Sequence, residues 1–154
     1  MEIIRRPPTD VERRILLQSR PFLRRLLRPS ISVPPTPTEV EVLRFPVFRA
    51  WNGITCFGPP CCPNTWLLET SDHQTFIWMQ SWTFLTAADG QFPGSDVILV
   101  RRSESSEIVT ASAAGNPAPT RPGAESLLDF EGAHQVEVYE REALPEALAR
   151  ALDV

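Results

Sequence analysis

The side chains best suited to chemistry are three cysteines, which lie together in the proline-rich run at positions 51–63. Thiolate and imidazole are ligands for Zn²⁺ and Cu⁺, so Cys56, Cys61, Cys62 and His73 could supply a Cys₃His set. The spacing is unlike that of common zinc sites, because two of the cysteines are adjacent and chelate one ion poorly. An odd number of cysteines also argues against a disulfide framework. We therefore expect free thiols, with zinc as the alternative.

The same residues also suggest nucleophilic catalysis. A thiol activated by His73, with Asp72 orienting the imidazole, would make a thiol enzyme. Such an arrangement depends on spatial contact, which adjacency in the sequence does not provide. The only histidines are His73 and His134, and each is typical of a surface position or a strand end. The sequence has no lysine, which excludes Schiff-base and P-loop lysine chemistry. These observations favour a protein that is not an enzyme.

The second candidate site is a basic helix near the N-terminus. Residues 1–30 hold eight arginines and three acids, a balance of +5, whereas residues 31–154 hold seven arginines and sixteen acids, a balance of −9. Residues 9–28 have helical periodicity, begin with a capping box of Thr9 and Glu12, and contain Pro21, which predicts a kink. Leu17 is the one apolar residue on the face opposite the apolar arc. That face carries the arginines predicted to bind a partner, which are Arg13, Arg14, Arg20, Arg24, Arg25 and Arg28.

Three kinds of partner suit that basic face. An anionic membrane surface or nucleic acid would pair with arginines, although the overall charge of −4 makes nucleic acid the weaker choice. The third kind of partner is another protein. Residues 124–154 hold eight acids and two arginines, so a second copy of the chain could also associate through its acidic C-terminal third.

The remaining elements predict an α+β fold, with an antiparallel sheet of about five or six strands between an N-terminal amphipathic helix and a short C-terminal helix. Thr65–Thr70 and Thr75–Trp82 form the clearest pair, an aromatic hairpin whose second strand is apolar on both faces and therefore central. A last helix over 142–152 carries Leu144, Leu148 and Leu152 on one stripe. Further strands are expected at 39–48, 96–102, 107–112 and 135–139, and loops at 51–63 and 113–123, of which the latter is expected to be exposed and mobile.

Two features of this sheet bear on function. The aromatic residues could form a stacking platform for single-stranded nucleic acid or a sugar, but no arginine lies between Trp66 and Phe84, so we expect them in the core. This group contains Trp51, Trp66, Trp78, Trp82, Phe76 and Phe84. Glu39 and Glu41 alternate along one strand, which is typical of a solvated strand face.

We divide the chain into a basic helix at 1–28, a proline-rich linker at 29–38, and a sheet domain with its C-terminal helix at 39–154. No apolar run approaches the length of a membrane span, and no secretory signal is evident, so the expected location is the cytoplasm. The sequence predicts a non-enzymatic module that binds another protein. The alternatives are a thiol- or zinc-dependent protein built on the cysteines and His73, and a membrane-surface or nucleic-acid contact through the first helix.

Overall fold

A computed structural model describes residues 1–17, 37–54, 64–81, 92–105, 107–122, 136–150 and 152. Its described residues form a mixed α+β fold that is mostly one antiparallel sheet of eight strands. The strands are β1 (Glu2–Arg6), β2 (Val40–Ile54), β3 (Asn64–Thr70), β4 (Thr75–Ser81), β5 (Gly94–Arg102), β6 (Ile108–Pro117), β7 (Thr120–Pro122) and β8 (Val136–Glu140). Helix α1 is described over 10–17, a 3-10 turn covers Arg141–Ala143, and helix α2 covers Glu146–Arg150.

The fifteen-residue strand β2 belongs to two half-sheets. Its first part, Val40–Pro46, pairs with β5 and β1, and β6 extends this first half-sheet. Its second part, Val47–Ile54, pairs with β3 and, in parallel, with β7, and the order continues through β4 to β8. The register shifts between Val47 and Arg49, at the junction of the two parts.

The main core lies between the two half-sheets. Alternation along β2 points Leu43 and Phe45 to the same side as their partners on β5. Both residues belong to one buried cluster with apolar side chains of β3, β4 and β8. The two half-sheets therefore face each other across one shared apolar layer. The other members of the cluster that are fully or nearly buried are Val47, Ala50, Leu68, Ile77, Met79, Val97, Leu99, Ala118 and Val136.

Helix α1 begins where the capping box predicts. The backbone N–H of Thr9 donates to Glu12 at 2.7 Å, and the N–H of Glu12 donates to the Thr9 hydroxyl at 3.3 Å. Leu16 is buried against Val40 and Val100, so the helix covers the outer face of the first half-sheet. Leu17 is about half exposed, in agreement with its expected position on the opposite face. The predicted part of this helix at 18–28, with Pro21, lies outside the described residues.

The C-terminal helix covers the outer face of the second half-sheet. Leu148 is fully buried against Trp51, Leu67, Phe76 and Trp78, and Leu144 and Leu152 pack at the margin. This confirms the expected leucine stripe and the placement of three of the aromatic residues in the core. Trp66 is half-buried and packs edge-on against Phe92, with ring centroids 5.4 Å apart, whereas Trp82 and Phe84 lie outside the described residues.

Four expectations about the fold were wrong. The described strands number eight rather than five or six, because β1 and β7 were not expected. Residues 51–54 belong to β2 and not to a loop, since they pair with β3 and β7. Residues 113–117 continue β6, and 120–122 form β7, where a loop was expected. The C-terminal helix is also shorter than 142–152, because a 3-10 turn precedes it.

Glu41 was expected on a solvated strand face, and this was also wrong. It points inward and is only 6% exposed. Arg5 of β1 and Arg101 of β5 flank it in the register, and each donates to it at 2.8 Å. Arg101 also donates to the carbonyl of Val136 at 2.9 Å and so links the two half-sheets. Burial alone would raise the pKa of Glu41, and the two guanidiniums more than offset it, so that this pKa is lowered.

No helix in the described ranges is long and apolar enough to cross a membrane. The division into 1–28, 29–38 and 39–154 stays a prediction. The described part of the N-terminal segment is nevertheless packed on the sheet, through β1 and Leu16.

Candidate functional site

In the sequence, the three predicted cysteines precede β3 and His73 follows it. Cys56, Cys61 and Cys62 lie outside the described residues, in the stretch that joins β2 to β3. The ends of that stretch are adjacent, because Ile54 pairs with Asn64. His73 follows the other end of β3, in the turn to β4, and a strand of this length spans about 20 Å. Among the described residues, no three of the His, Cys, Asp or Glu side chains are grouped to hold a metal ion. The Cys₃His zinc site stays a prediction.

Asp72 shapes the β3–β4 turn, and no described contact joins it to the imidazole of His73. Its carboxylate accepts hydrogen bonds from the hydroxyl of Thr70 at 2.6 Å and from the backbone N–H groups of Gln74 and Thr75 at 2.8 and 3.0 Å. These bonds lower the pKa of Asp72 to about 2. The turn holds His73 at a φ of 57°, in the left-handed region that few side chains adopt. The imidazole is thereby directed back over β3.

The group that meets the imidazole is Glu69, whose side chain is only 1% exposed. Its Oε1 lies 3.1 Å from Nδ1 of His73 and accepts a hydrogen bond from Arg141 at 2.9 Å. Its Oε2 accepts from Nε of Arg49. One buried carboxylate thus holds two guanidiniums and one imidazole, which stabilises a charge that would otherwise be costly to bury.

Three elements converge to build this arrangement. Arg49 lies opposite Glu69 in the β2–β3 register, so their side chains share the outer face of the second half-sheet. Arg141 directly follows β8, where its backbone N–H donates to the carbonyl of Gln74 at 2.7 Å and its Nε donates to the carbonyl of His73 at 2.8 Å. The β3–β4 turn and the end of β8 are therefore joined by both main-chain and side-chain bonds.

Aromatic rings surround the charged groups. Phe48 meets His73 edge to face, with ring centroids 4.2 Å apart, and is 46% exposed. The guanidinium of Arg49 lies 4.9 Å from the ring centroid of Trp51, and that of Arg141 lies 5.1 Å from the centroid of Phe76. We call the set Phe48, Arg49, Glu69, His73 and Arg141 the Glu69 surface.

The Glu69 surface retains unused hydrogen-bond donors. Arg49 donates to Glu69 through Nε, and Arg141 uses Nε and one Nη. Within the described part of the chain, the remaining guanidinium N–H groups have no partner. The side chains of Arg49, Arg141 and His73 are 34%, 45% and 49% exposed, so solvent reaches these donors. The surface can therefore bind an acceptor group beside an exposed aromatic ring.

No protein-family model, curated protein or solved structure matched this chain. The arrangement of the Glu69 surface is thus the main guide to function.

Of the arginines predicted to bind a partner, two fall in the described residues. Arg13 and Arg14 are exposed on α1, whereas Arg20, Arg24, Arg25 and Arg28 lie outside the described ranges. Two other N-terminal arginines have structural roles, because Arg5 pairs with Glu41 and Arg6 pairs with Glu12 at 2.7 Å. The basic face of the helix stays a prediction, and part of the N-terminal positive charge is neutralised within the fold.

Sequence reasoning missed Phe48, Arg49, Glu69 and Arg141. One local signal was present, because Glu69 directly follows the apolar run Trp66–Leu68 and precedes His73 by four residues. A glutamate that is buried in a strand requires a cationic partner. No local pattern indicated that this partner would be supplied by β2 and by the residue after β8.

Proposed function

We propose that the protein is a non-enzymatic interaction module that binds another protein through the Glu69 surface. The observation that carries this proposal is an exposed Phe48 in contact with His73 and 5.7 Å from the Arg49 guanidinium, on a surface where one buried carboxylate fixes Arg49 and Arg141. Arginine and aromatic residues are enriched among the side chains that dominate protein–protein binding energy.

Fixing the arginines in advance favours binding. A free arginine loses side-chain conformational entropy when a partner orders it, at a cost of about 0.5–1.5 kcal/mol. Arg49 is already ordered by Glu69 and by the Trp51 ring, and Arg141 by Glu69, by the carbonyl of His73 and by the Phe76 ring. A partner therefore meets donors whose positions are set by the sheet.

The charge of the Glu69 surface selects the chemistry of the partner. Two arginines against one glutamate leave a formal charge of +1 before His73 is counted, although the chain as a whole carries −4. The residues of the Glu69 surface thus carry a positive formal charge, although the protein is acidic. A partner segment with a carboxylate next to an apolar side chain would pair with the arginines and pack against Phe48.

A photo-crosslinking amino acid placed at Phe48 in the native cell tests this proposal. We expect one protein to be crosslinked, and its identity follows from mass spectrometry. Its affinity for the purified wild-type chain is then compared with its affinity for Arg141→Glu and for Arg150→Glu. Arg150 is a matched control because it is 68% exposed and pairs only with Glu146 on α2 among the described residues.

We expect Arg141→Glu to weaken binding at least about tenfold, because a like charge would replace a cationic donor. Arg150→Glu should change the affinity by less than about twofold. An equal loss of affinity in the two variants would show that net charge alone causes the effect. An unchanged affinity in Arg141→Glu would overturn the proposal.

A further inference from the structure

The edges of the sheet differ in how well they are protected from pairing with another strand. Natural sheets block their edges with short strands, charged side chains, proline or covering elements. Strand β1 has five residues and carries Glu2, Arg5 and Arg6. Strand β7 has three residues, and β8 has five with two glutamates.

Strand β6 lacks these devices along most of its length. It is the last strand in the described order and pairs with β5 alone. Its ten residues, Ile108–Pro117, include no charged side chain, and the only proline is at the end. Ser112, Ala114 and the next three residues are exposed. Among the described residues no strand other than β5 pairs with β6, so the main-chain donors and acceptors on its second side have no strand partner there.

The part of β6 available for pairing is a regular stretch of five residues. From Thr110 to Ala114 it follows β5 residue by residue, and the register shifts on either side. After Ala114 the strand is irregular at Gly115, whose φ of 78° suits glycine, and a Cβ there would lie 2.2 Å from the Ser95 hydroxyl. The straight edge is therefore centred on Ser112.

We propose that β6 pairs with β6 of a second copy of this chain, antiparallel and about a two-fold axis at Ser112. In that register Ala111 faces Ala113 of the second copy, Thr110 faces Ala114, and Ser112 faces its own counterpart. All of these side chains are small and uncharged, so the strands can approach with no like charges opposed. The two first half-sheets join into one continuous sheet.

A second copy suits this edge better than a foreign strand does. Recognition of a foreign strand draws its affinity from main-chain hydrogen bonds and its specificity from pockets for alternate side chains. Alanine and serine on β6 form no such pockets. Two identical strands need only the correct register in order to pair. Two-fold dimers are also the commonest oligomers. A contact of one strand pair is small, so we expect a weak dimer that depends on concentration.

Sedimentation velocity over a range of concentrations up to about 1 mM tests this inference. We expect the wild-type chain to shift from monomer to dimer. Ser112→Lys should raise the dimer dissociation constant at least about tenfold, because two ammonium groups would face each other across the axis. Thr38→Lys is the matched control, since it adds the same charge at an exposed site outside β6 and should leave the dissociation constant unchanged.

A second variant tests the register directly. Opposed residues of a strand pair have Cβ atoms about 4.5–5.5 Å apart, close enough for a disulfide after a small adjustment. Under mild oxidation Ser112→Cys should give a covalent dimer that exceeds any formed by the wild-type chain or by Thr38→Cys. The inference is overturned if the wild-type chain stays monomeric at every concentration, if Ser112→Lys dimerises normally, or if the Ser112→Cys variant crosslinks only to a different protein.

Discussion

At the level of single residues, Glu69 has the most partners among the buried charged groups described. Its carboxylate is nearly inaccessible to water, and it pairs with Arg49, His73 and Arg141. Because each of these three side chains is partly exposed, water offsets part of the interaction energy that they lose when Glu69 is changed. The carboxylate therefore orients the surface as well as contributing to stability.

We expect Glu69→Gln to lower the free energy of unfolding by about 1–3 kcal/mol, because it removes the charge that holds two guanidiniums. Urea denaturation followed by circular dichroism measures the change. Glu146→Gln is the control, since Glu146 also pairs with an arginine but is 83% exposed, and its loss should cost at most about 0.5 kcal/mol. Equal costs in the two variants would contradict the role we give to burial.

The sequence predicted single residues well only where their partners are close in the chain. Thr9 and Glu12 are three positions apart, and the capping box that they form was anticipated with its boundaries. Glu41 and Arg101 are sixty positions apart, and Glu41 was expected to be solvated. A glutamate on a strand looks exposed until the register with its cationic neighbours is known.

At the level of elements, helix α2 has only five residues and depends on the sheet that it covers. An isolated helix of this length is unstable in water. Its stability comes from Leu148, which is fully buried among Trp51, Phe76 and Trp78. The helix in turn keeps these aromatic side chains away from solvent.

We expect Leu148→Ala to destabilise the protein by about 2–5 kcal/mol, because it leaves a cavity and loosens the helix. Hydration of the indoles should also shift tryptophan emission to longer wavelength. Leu17→Ala is the control, because Leu17 is 51% exposed on α1 and its loss should change stability by less than about 0.5 kcal/mol. Emission that stays unchanged in Leu148→Ala would mean that α2 does not shield the tryptophans.

Elements with strong local signals were predictable, and those made by long-range pairing were not. The β3–β4 hairpin has β-branched and aromatic residues on both strands and a polar turn, and its bounds were nearly correct. Strand β7 consists of Thr-Arg-Pro and has no strand character of its own. It is a strand because Ala50 donates to the carbonyl of Pro119 at 2.9 Å and the parallel pairing continues from there.

At the level of the whole molecule, several carboxylates are stabilised in their charged form. Hydrogen bonds from Arg6 lower the pKa of Glu12 from 4.5 to about 2. The pKa of Asp72 falls from 3.8 to about 2, and that of Glu41 is also lowered. A group whose pKa is lower in the folded state stabilises the fold above its unfolded pKa, and this contribution is lost as the pH falls towards the folded value.

We therefore expect the free energy of unfolding to be nearly constant from pH 7 to about pH 5 and to decline steadily from there towards about pH 2. Urea denaturation at each pH gives this profile. Glu12→Gln keeps the capping geometry but removes the charge, so its deficit relative to the wild-type chain should be largest at neutral pH and shrink as the pH falls towards the folded pKa. A deficit that is independent of pH would show that the Arg6 pairing is not its cause.

The single strand that runs through both half-sheets has a consequence for how the molecule comes apart. The first part of β2 pairs on both sides along Val40–Arg44 and the second along Ala50–Asn52, so disordering this strand disrupts both half-sheets. A partially opened form that keeps one layer ordered is therefore disfavoured. We therefore expect the two half-sheets to unfold together in one cooperative transition.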